Sequence, residues 1–152
     1  MYLAIYPLTK HAHMPTHTSH SLYDTKAIAQ SFARTLKAGD VVAFVGGMGA
    51  GKTAFTRYML AALGITERVQ SPTFAIVNEY KTPDGIGVYH FDMYRVTSVD
   101  ELETTGYYDY LDSGDNILIV EWSENITESI PRQARFVKIK TISETEREIE
   151  IC

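Results

Sequence analysis

Cysteine is almost missing from this chain. Of its 152 residues one is a cysteine, Cys152, at the last position. A lone thiol cannot close an internal disulfide, so no covalent framework braces the fold, and a reducing cytoplasm is the expected setting. Long apolar runs are missing too: no stretch approaches the roughly 18 residues that a membrane-spanning helix needs, and no membrane association is expected. The first ten residues hold one basic residue with no sustained apolar core behind it, which does not read as a secretory signal. Positive charge is the minority sign, 14 Lys and Arg against 19 Asp and Glu, for a net charge of −5. An acidic chain gains little from counterion release, so tight binding of RNA or DNA by the chain alone is not expected.

What is present suits one domain with a single buried core: 45% of residues are hydrophobic and 22% charged. Pro7–His20 stands apart. It is polar, holds four histidines and has no period, and with no Cys or carboxylate among them it reads as a solvated extension rather than a metal site. We therefore expect residues 1–20 to form an extended or flexible segment before a domain at 21–152.

Asp24 or Thr25 can cap a first helix in which Ile28, Phe32 and Leu36 recur every fourth residue, with Gly39 as its stop. Val41–Val45 is a short β-branched run fit for a parallel strand buried on both faces. A glycine loop follows, then a helix from Lys52 to Leu63 with Phe55, Met59 and Leu63 on one face. Phe74–Tyr80 and Val88–Tyr94 alternate around a Pro83-Asp84-Gly85 turn. Ser98 and Glu101 form a capping box opening a helix toward Leu111. Asn116–Glu121 is a second buried strand, Glu124–Ile130 a short helix ended by Pro131, and Arg135–Ile142 with Arg147–Ile151 a terminal hairpin. Helices alternating with apolar strands first, and antiparallel pairs later, predict an α/β sandwich around a mixed sheet.

The strongest signal is Gly46-Gly47-Met48-Gly49-Ala50-Gly51-Lys52-Thr53, which fits G-x-x-x-x-G-K-[ST] between a buried strand and a helix. Glycines let successive backbone N–H groups turn inward on an anion, and the helix N-terminus adds partial positive charge. Lys52 places a point charge on the β- and γ-phosphates and Thr53 offers a hydroxyl to Mg²⁺. Glu121 ends the run Ile117–Glu121, where a carboxylate leaving the core can serve that metal directly or through its water, with a surface Glu at a strand end as the plainer alternative. Asp92 is a second acidic candidate, for the attacking water or metal-bound water, with a salt bridge to Arg95 or a turn as the plainer alternative. Ser71-Pro72-Thr73-Phe74 could sense a γ-phosphate or be a simple entry to a strand. Trp122 could lie by the nucleotide or belong to the core.

Taken in order, GxxGAGKT at Gly46–Thr53, SPTFxxVNEY at Ser71–Tyr80, YHFDxYR at Tyr89–Arg95, ELxxxG at Glu101–Gly106 and the pair Glu121-Trp122 resemble the bacterial TsaE (YjeE) family, the small ATPases of tRNA threonylcarbamoyladenosine synthesis. The resemblance runs from about Thr25 to Trp122. It implies a three-layer P-loop NTPase fold with a mixed, partly parallel sheet. It also implies ATP as substrate, Mg²⁺ as cofactor, slow hydrolysis alone, and the proteins TsaB and TsaD as partners. Those partners carry out the transfer to tRNA, which TsaE meets only through them, and TsaE turnover resets their complex. By position, Lys52 would contact phosphates along a cradle of Gly47, Met48, Gly49, Ala50, Gly51 and Ala54. Thr53 and Glu121 would serve Mg²⁺, and Asp92 would support hydrolysis. Ser71 and Thr73 would form a switch-like loop, with Trp122 near the nucleotide and Thr25 near its base or ribose. Gly47 departs from the family's usual Asp, the His-rich segment before Ser21 has no counterpart, and the last 30 residues match only in general character. Two other functions fit a nucleotide site: a small-molecule kinase, against which the seven scattered arginines speak because they form no lid-like cluster, and a nucleotide-gated binding module with incidental turnover.

Overall fold

The glycine loop and its two acidic neighbours converge because four parallel strands end on one side of the molecule. In the computed structural model, which describes residues 15–72 and 76–152, seven strands form one sheet in the order β1-β7-β6-β2-β5-β4-β3. They are β1 (Thr16–Ser19), β2 (Val41–Val45), β3 (Val77–Lys81), β4 (Gly87–Asp92), β5 (Ile117–Glu121), β6 (Arg135–Thr141) and β7 (Arg147–Ile151). β2 pairs in parallel with β5 and β6, and β5 with β4. The pairs β3–β4, β6–β7 and β1–β7 are antiparallel. β5 is buried at every position and β2 at all but its last, as continuous apolar runs in the middle of a parallel sheet should be.

Side-chain alternation sends the two faces of each strand into two cores. On one face Val42, Phe44, Val88 and Ile119 meet Phe32 of α1 (Leu22–Ala33) and Phe55, Met59 and Leu60 of α2 (Lys52–Ala62). On the other, Phe91, Leu118 and Val120 meet Leu102 of α3 (Val99–Thr104) and Tyr107 of α4 (Tyr107–Ser113). A short 3-10 helix, Ser123–Ser129, follows β5. The expected three-layer α/β architecture with a mixed sheet is the observed one.

Three local expectations differ. α1 opens at Leu22 because Ser21, not Asp24 or Thr25, is its cap: the Ser21 hydroxyl accepts from Asp24 N at 3.2 Å, while the Asp24 carboxylate accepts from His20 N, just before the cap, at 2.9 Å. The single helix expected from Ser98 to Leu111 breaks in two at Gly106, whose φ of 81° no right-handed helix can hold. The boundary set at residue 20 moves toward the N-terminus, since Thr16–Ser19 is a strand in register with Arg147–Glu150. His17 lies on it, and the His20 ring stands 3.2 Å from Glu146. His11 and His13 lie outside the described residues, as do Thr73 and Phe74 of the proposed switch loop.

Candidate nucleotide site

Gly46–Gly51 turns from the end of β2 into α2, and its geometry depends on missing side chains. Gly49 and Gly51 take φ of 76° and 107°, conformations that a side chain would strain. Gly46 is required for a different reason: a Cβ there would meet the Ile139 carbonyl oxygen of β6 at 2.7 Å. Gly47 has neither constraint, since nothing lies within 4 Å of a Cβ built there. Neither glycine-specific conformation nor close packing therefore demands Gly at this position, where the resemblance implies Asp. Gly47, Met48 and Gly49 are exposed and Ala50 is buried.

Lys52 opens α2 and folds back over the loop. Its Nζ donates to the Gly46 carbonyl at 2.8 Å and sits 3.8 Å from the centre of the Trp122 ring. Burial pulls the Lys52 pKa down from the ordinary lysine value, opposed by the negative charges of Glu121, Glu124 and Asp92. Trp122 is the one non-glycine residue with positive φ, 56°, among the described residues. Such strain persists only where surroundings hold it, and here Lys52 covers the ring on one side while Tyr94 packs 4.9 Å from its centre. Thr53 and Ala54 are half-buried in the first turn of α2.

The acidic residues close the site from the strand ends. Asp92 and Glu121 are register partners on β4 and β5. Asp92 accepts from Tyr94 N at 2.9 Å, so it does shape the turn after β4, and the Ser71 hydroxyl lies 3.4 Å from its other oxygen. Ser71 thereby joins the site. Glu121 is 3% exposed, and its Oε1 has no hydrogen-bond partner. Thr25 is buried, with its hydroxyl 2.7 Å from that of Ser19, an arrangement that ties α1 to β1.

The donor set suits a hard cation brought in with phosphates. Mg²⁺ takes oxygen ligands, commonly one or two carboxylates plus phosphate oxygens and water, not an all-protein cage. Thr53, Asp92 and Glu121 supply such oxygens, and the orphaned buried Oε1 has unused acceptor capacity. No group of three or more His, Cys, Asp or Glu that could hold a metal alone occurs among the described residues.

A model of the family described as "Threonylcarbamoyl adenosine biosynthesis protein TsaE" matches residues 19–149. The chain belongs to the TsaE family. TsaE of Bacillus subtilis strain 168 is 43% identical over 127 residues, covering 83% of this chain and 77% of its own. TsaE of Rickettsia typhi is 36% identical over 132 residues, covering 86% and 90%. A crystal structure of Bacillus subtilis YdiB superposes with a TM-score of 0.73 at 36% identity, covering 91% of this chain and 84% of that one. Membership places this TsaE protein in tRNA threonylcarbamoyladenosine biosynthesis. The family match begins at residue 19, on the edge strand, and ends at residue 149 in β7, so it includes the hairpin that the sequence motifs left outside.

Three residues at the site are given no role by the motif reading, although His90 lies inside the Tyr89–Arg95 motif. Ser123 donates to the Phe44 carbonyl at 2.9 Å and locks the end of β5 onto β2. Arg147 donates from Nε to the Ala50 carbonyl at 3.0 Å and from Nη1 to the carbonyls of Ser143 and Glu146, holding the glycine loop against the β6–β7 turn. His90 is wholly buried 3.3 Å from Glu121. Only His90 was within reach of sequence reasoning: two residues before Asp92 on a strand, it must share Asp92's face.

Proposed function

We propose that this TsaE chain binds ATP with Mg²⁺ at Gly46–Thr53 and hydrolyses it, slowly when alone. In the cytoplasm its turnover resets a TsaB–TsaD complex, which performs the transfer to tRNA. The observation that carries this reading is the position of Lys52. Its ammonium is gathered at the mouth of the glycine loop by the Gly46 carbonyl, the Trp122 ring and the field of Asp92 and Glu121. A polyphosphate entering the loop offers that ammonium stronger partners than a neutral carbonyl, because charge-assisted hydrogen bonds are about twice as strong. Backbone N–H groups and the α2 terminus hold the anion. Thr53 and Glu121 hold the ion or its water, and the ion when bound neutralises charge on the β- and γ-oxygens. Asp92, already steadied by Tyr94 N, orients the attacking water. Ser71, beside Asp92, links the segment before residues 73–75 to the γ-phosphate end of the site.

The test is phosphate release from ATP by the chain alone, with purified TsaB–TsaD, and with a panel of hydroxyl acceptors. Release that rises with the partner complex and depends on Lys52 supports the proposal. Phosphoryl transfer to an acceptor without release to water rejects it in favour of a kinase. Partner docking that needs ATP but proceeds at full effect without turnover rejects it in favour of a nucleotide-gated module.

A further inference from the structure

His90 is the one histidine in the sheet interior among the described residues, and none of the roles assigned to the site uses it. It is fully buried, and both ring nitrogens lack a hydrogen-bond partner. A buried imidazole with neither nitrogen engaged is costly, and native cores rarely tolerate it without a reason. Its closest polar neighbour is also an orphan: Glu121 Oε1, 3.3 Å from Nε2 but out of line for a hydrogen bond. The sheet register explains why they meet. His90 is paired with Ile119 on the parallel neighbour, and Glu121 lies two residues further along β5, so both side chains leave the same face diagonally opposite each other. That face is the one α2 covers. Thr56 of α2, fully buried, contributes another hydroxyl without a partner.

We infer that His90 is a positioning residue for Glu121: its Nε2–H holds Oε1, leaving the second carboxylate oxygen for the magnesium ion or its water. The inference rests on the metal role proposed for Glu121. A single ring N–H supplies the bond. A bond across the 3.3 Å contact engages two of the buried polar atoms that are otherwise orphaned. A carboxylate fixed by a donor behind it presents its free oxygen in one direction, and loss of such a donor costs roughly 10–100-fold in metal affinity in comparable sites.

Three variants test this: His90→Leu, which removes the donor; His90→Gln, whose side-chain amide can present an N–H in place of Nε2; and Glu121→Gln. Two readouts are taken on each. The first is the Mg²⁺ dependence of nucleotide binding, followed by Trp122 fluorescence with ATP and with ATP plus EDTA. The second is the split between KM and kcat for phosphate release. His90→Leu is expected to raise half-saturating Mg²⁺ about tenfold or more and to lower kcat, with metal-free ATP binding unchanged. His90→Gln should recover most of both. His90→Leu should add little in a Glu121→Gln background. Wild-type Mg²⁺ dependence in His90→Leu, while Glu121→Gln is shifted, overturns the inference and leaves the metal role standing. A His90→Gln protein that folds but is as impaired as His90→Leu also overturns it. An unshifted Glu121→Gln overturns the inference together with the metal role beneath it.

Discussion

Asp92 and Glu121 close two neighbouring parallel strands in direct register, side by side on the face that carries α2. Two carboxylates so placed repel each other, and the Lys52 ammonium is the positive charge that opposes this. The first prediction follows from their different partners. Asp92→Asn keeps an acceptor for Tyr94 N and should retain ATP binding while slowing phosphate release. Glu121→Ala should retain metal-free ATP binding but lose about tenfold or more in Mg²⁺ affinity. Titration calorimetry with and without Mg²⁺, beside steady-state turnover, separates the two.

Gly46 and Gly47 are adjacent, yet they should respond in opposite ways. Gly46→Ala drives a Cβ against the Ile139 carbonyl and is expected to cost about 1–3 kcal/mol, as overpacking does. Gly47→Asp, which restores the family's usual residue, enters open space and should change stability by no more than about 0.5 kcal/mol. Chemical denaturation of both variants checks this.

Arg147 reaches the phosphate loop from outside. Arg147→Ala removes the donor on the Ala50 carbonyl and the clamp on the β6–β7 turn, so the loop should lose rigidity. We expect ATP affinity to fall by about 1–2 kcal/mol, near the net value of such hydrogen bonds. Arg147→Lys should restore little of it, because a single ammonium cannot span the loop and the turn. Calorimetric affinities for the three proteins decide the matter.

Trp122 is the chain's one tryptophan and lies 3.8 Å from the Lys52 ammonium, so it reports on the site without labelling. Triphosphate binding should draw Lys52 from the ring and change the fluorescence. Lys52→Ala should abolish that change and weaken binding by about 1.5–3 kcal/mol, the range for a hydrogen bond to a charged group. Fluorescence titration reads both.

Tyr110 on α4 donates to the Glu79 carboxylate of β3 at 2.8 Å, and that bond pushes its phenol up to about 12 from the ordinary value of 10.0. A raised acid pKa means the fold favours the protonated phenol. The contribution is therefore complete below pH 10.0 and is lost as pH climbs from there through about 12. Tyr110→Phe should delete one late phenolate transition from the ultraviolet alkaline titration and remove that part of the alkaline loss of stability.

The legible parts of this protein are those whose physics is local. The Gly46–Thr53 loop shows in sequence because positive φ and a close backbone approach demand glycine at fixed offsets from a lysine. The position of Glu121 shows because a carboxylate at the end of an apolar run needs a partner, though the structure keeps it buried at 3% exposure where the sequence has it leaving the core. The terminal hairpin shows through alternation. What stayed hidden depends on distant pairing. Arg147 meets Ala50 from 97 positions away, and neither residue's neighbours announce it. The joining of Thr16–Ser19 to β7 depends on an edge that only the assembled sheet provides, so the strand read as part of a polar tail. The cap of α1 lies at Ser21 rather than at Asp24 or Thr25, because Asp24, itself an excellent cap, here accepts from His20 N and donates its own N–H to the Ser21 hydroxyl.

The most direct test of the account is a crystal structure with Mg²⁺ and a non-hydrolysable ATP analogue. It should show the polyphosphate inside Gly46–Thr53, Lys52 Nζ moved from the Gly46 carbonyl to the β- and γ-oxygens, and Glu121 on the ion or on its water. An analogue bound elsewhere, with Lys52 still on Gly46 and Glu121 turned away from any ion, would contradict it.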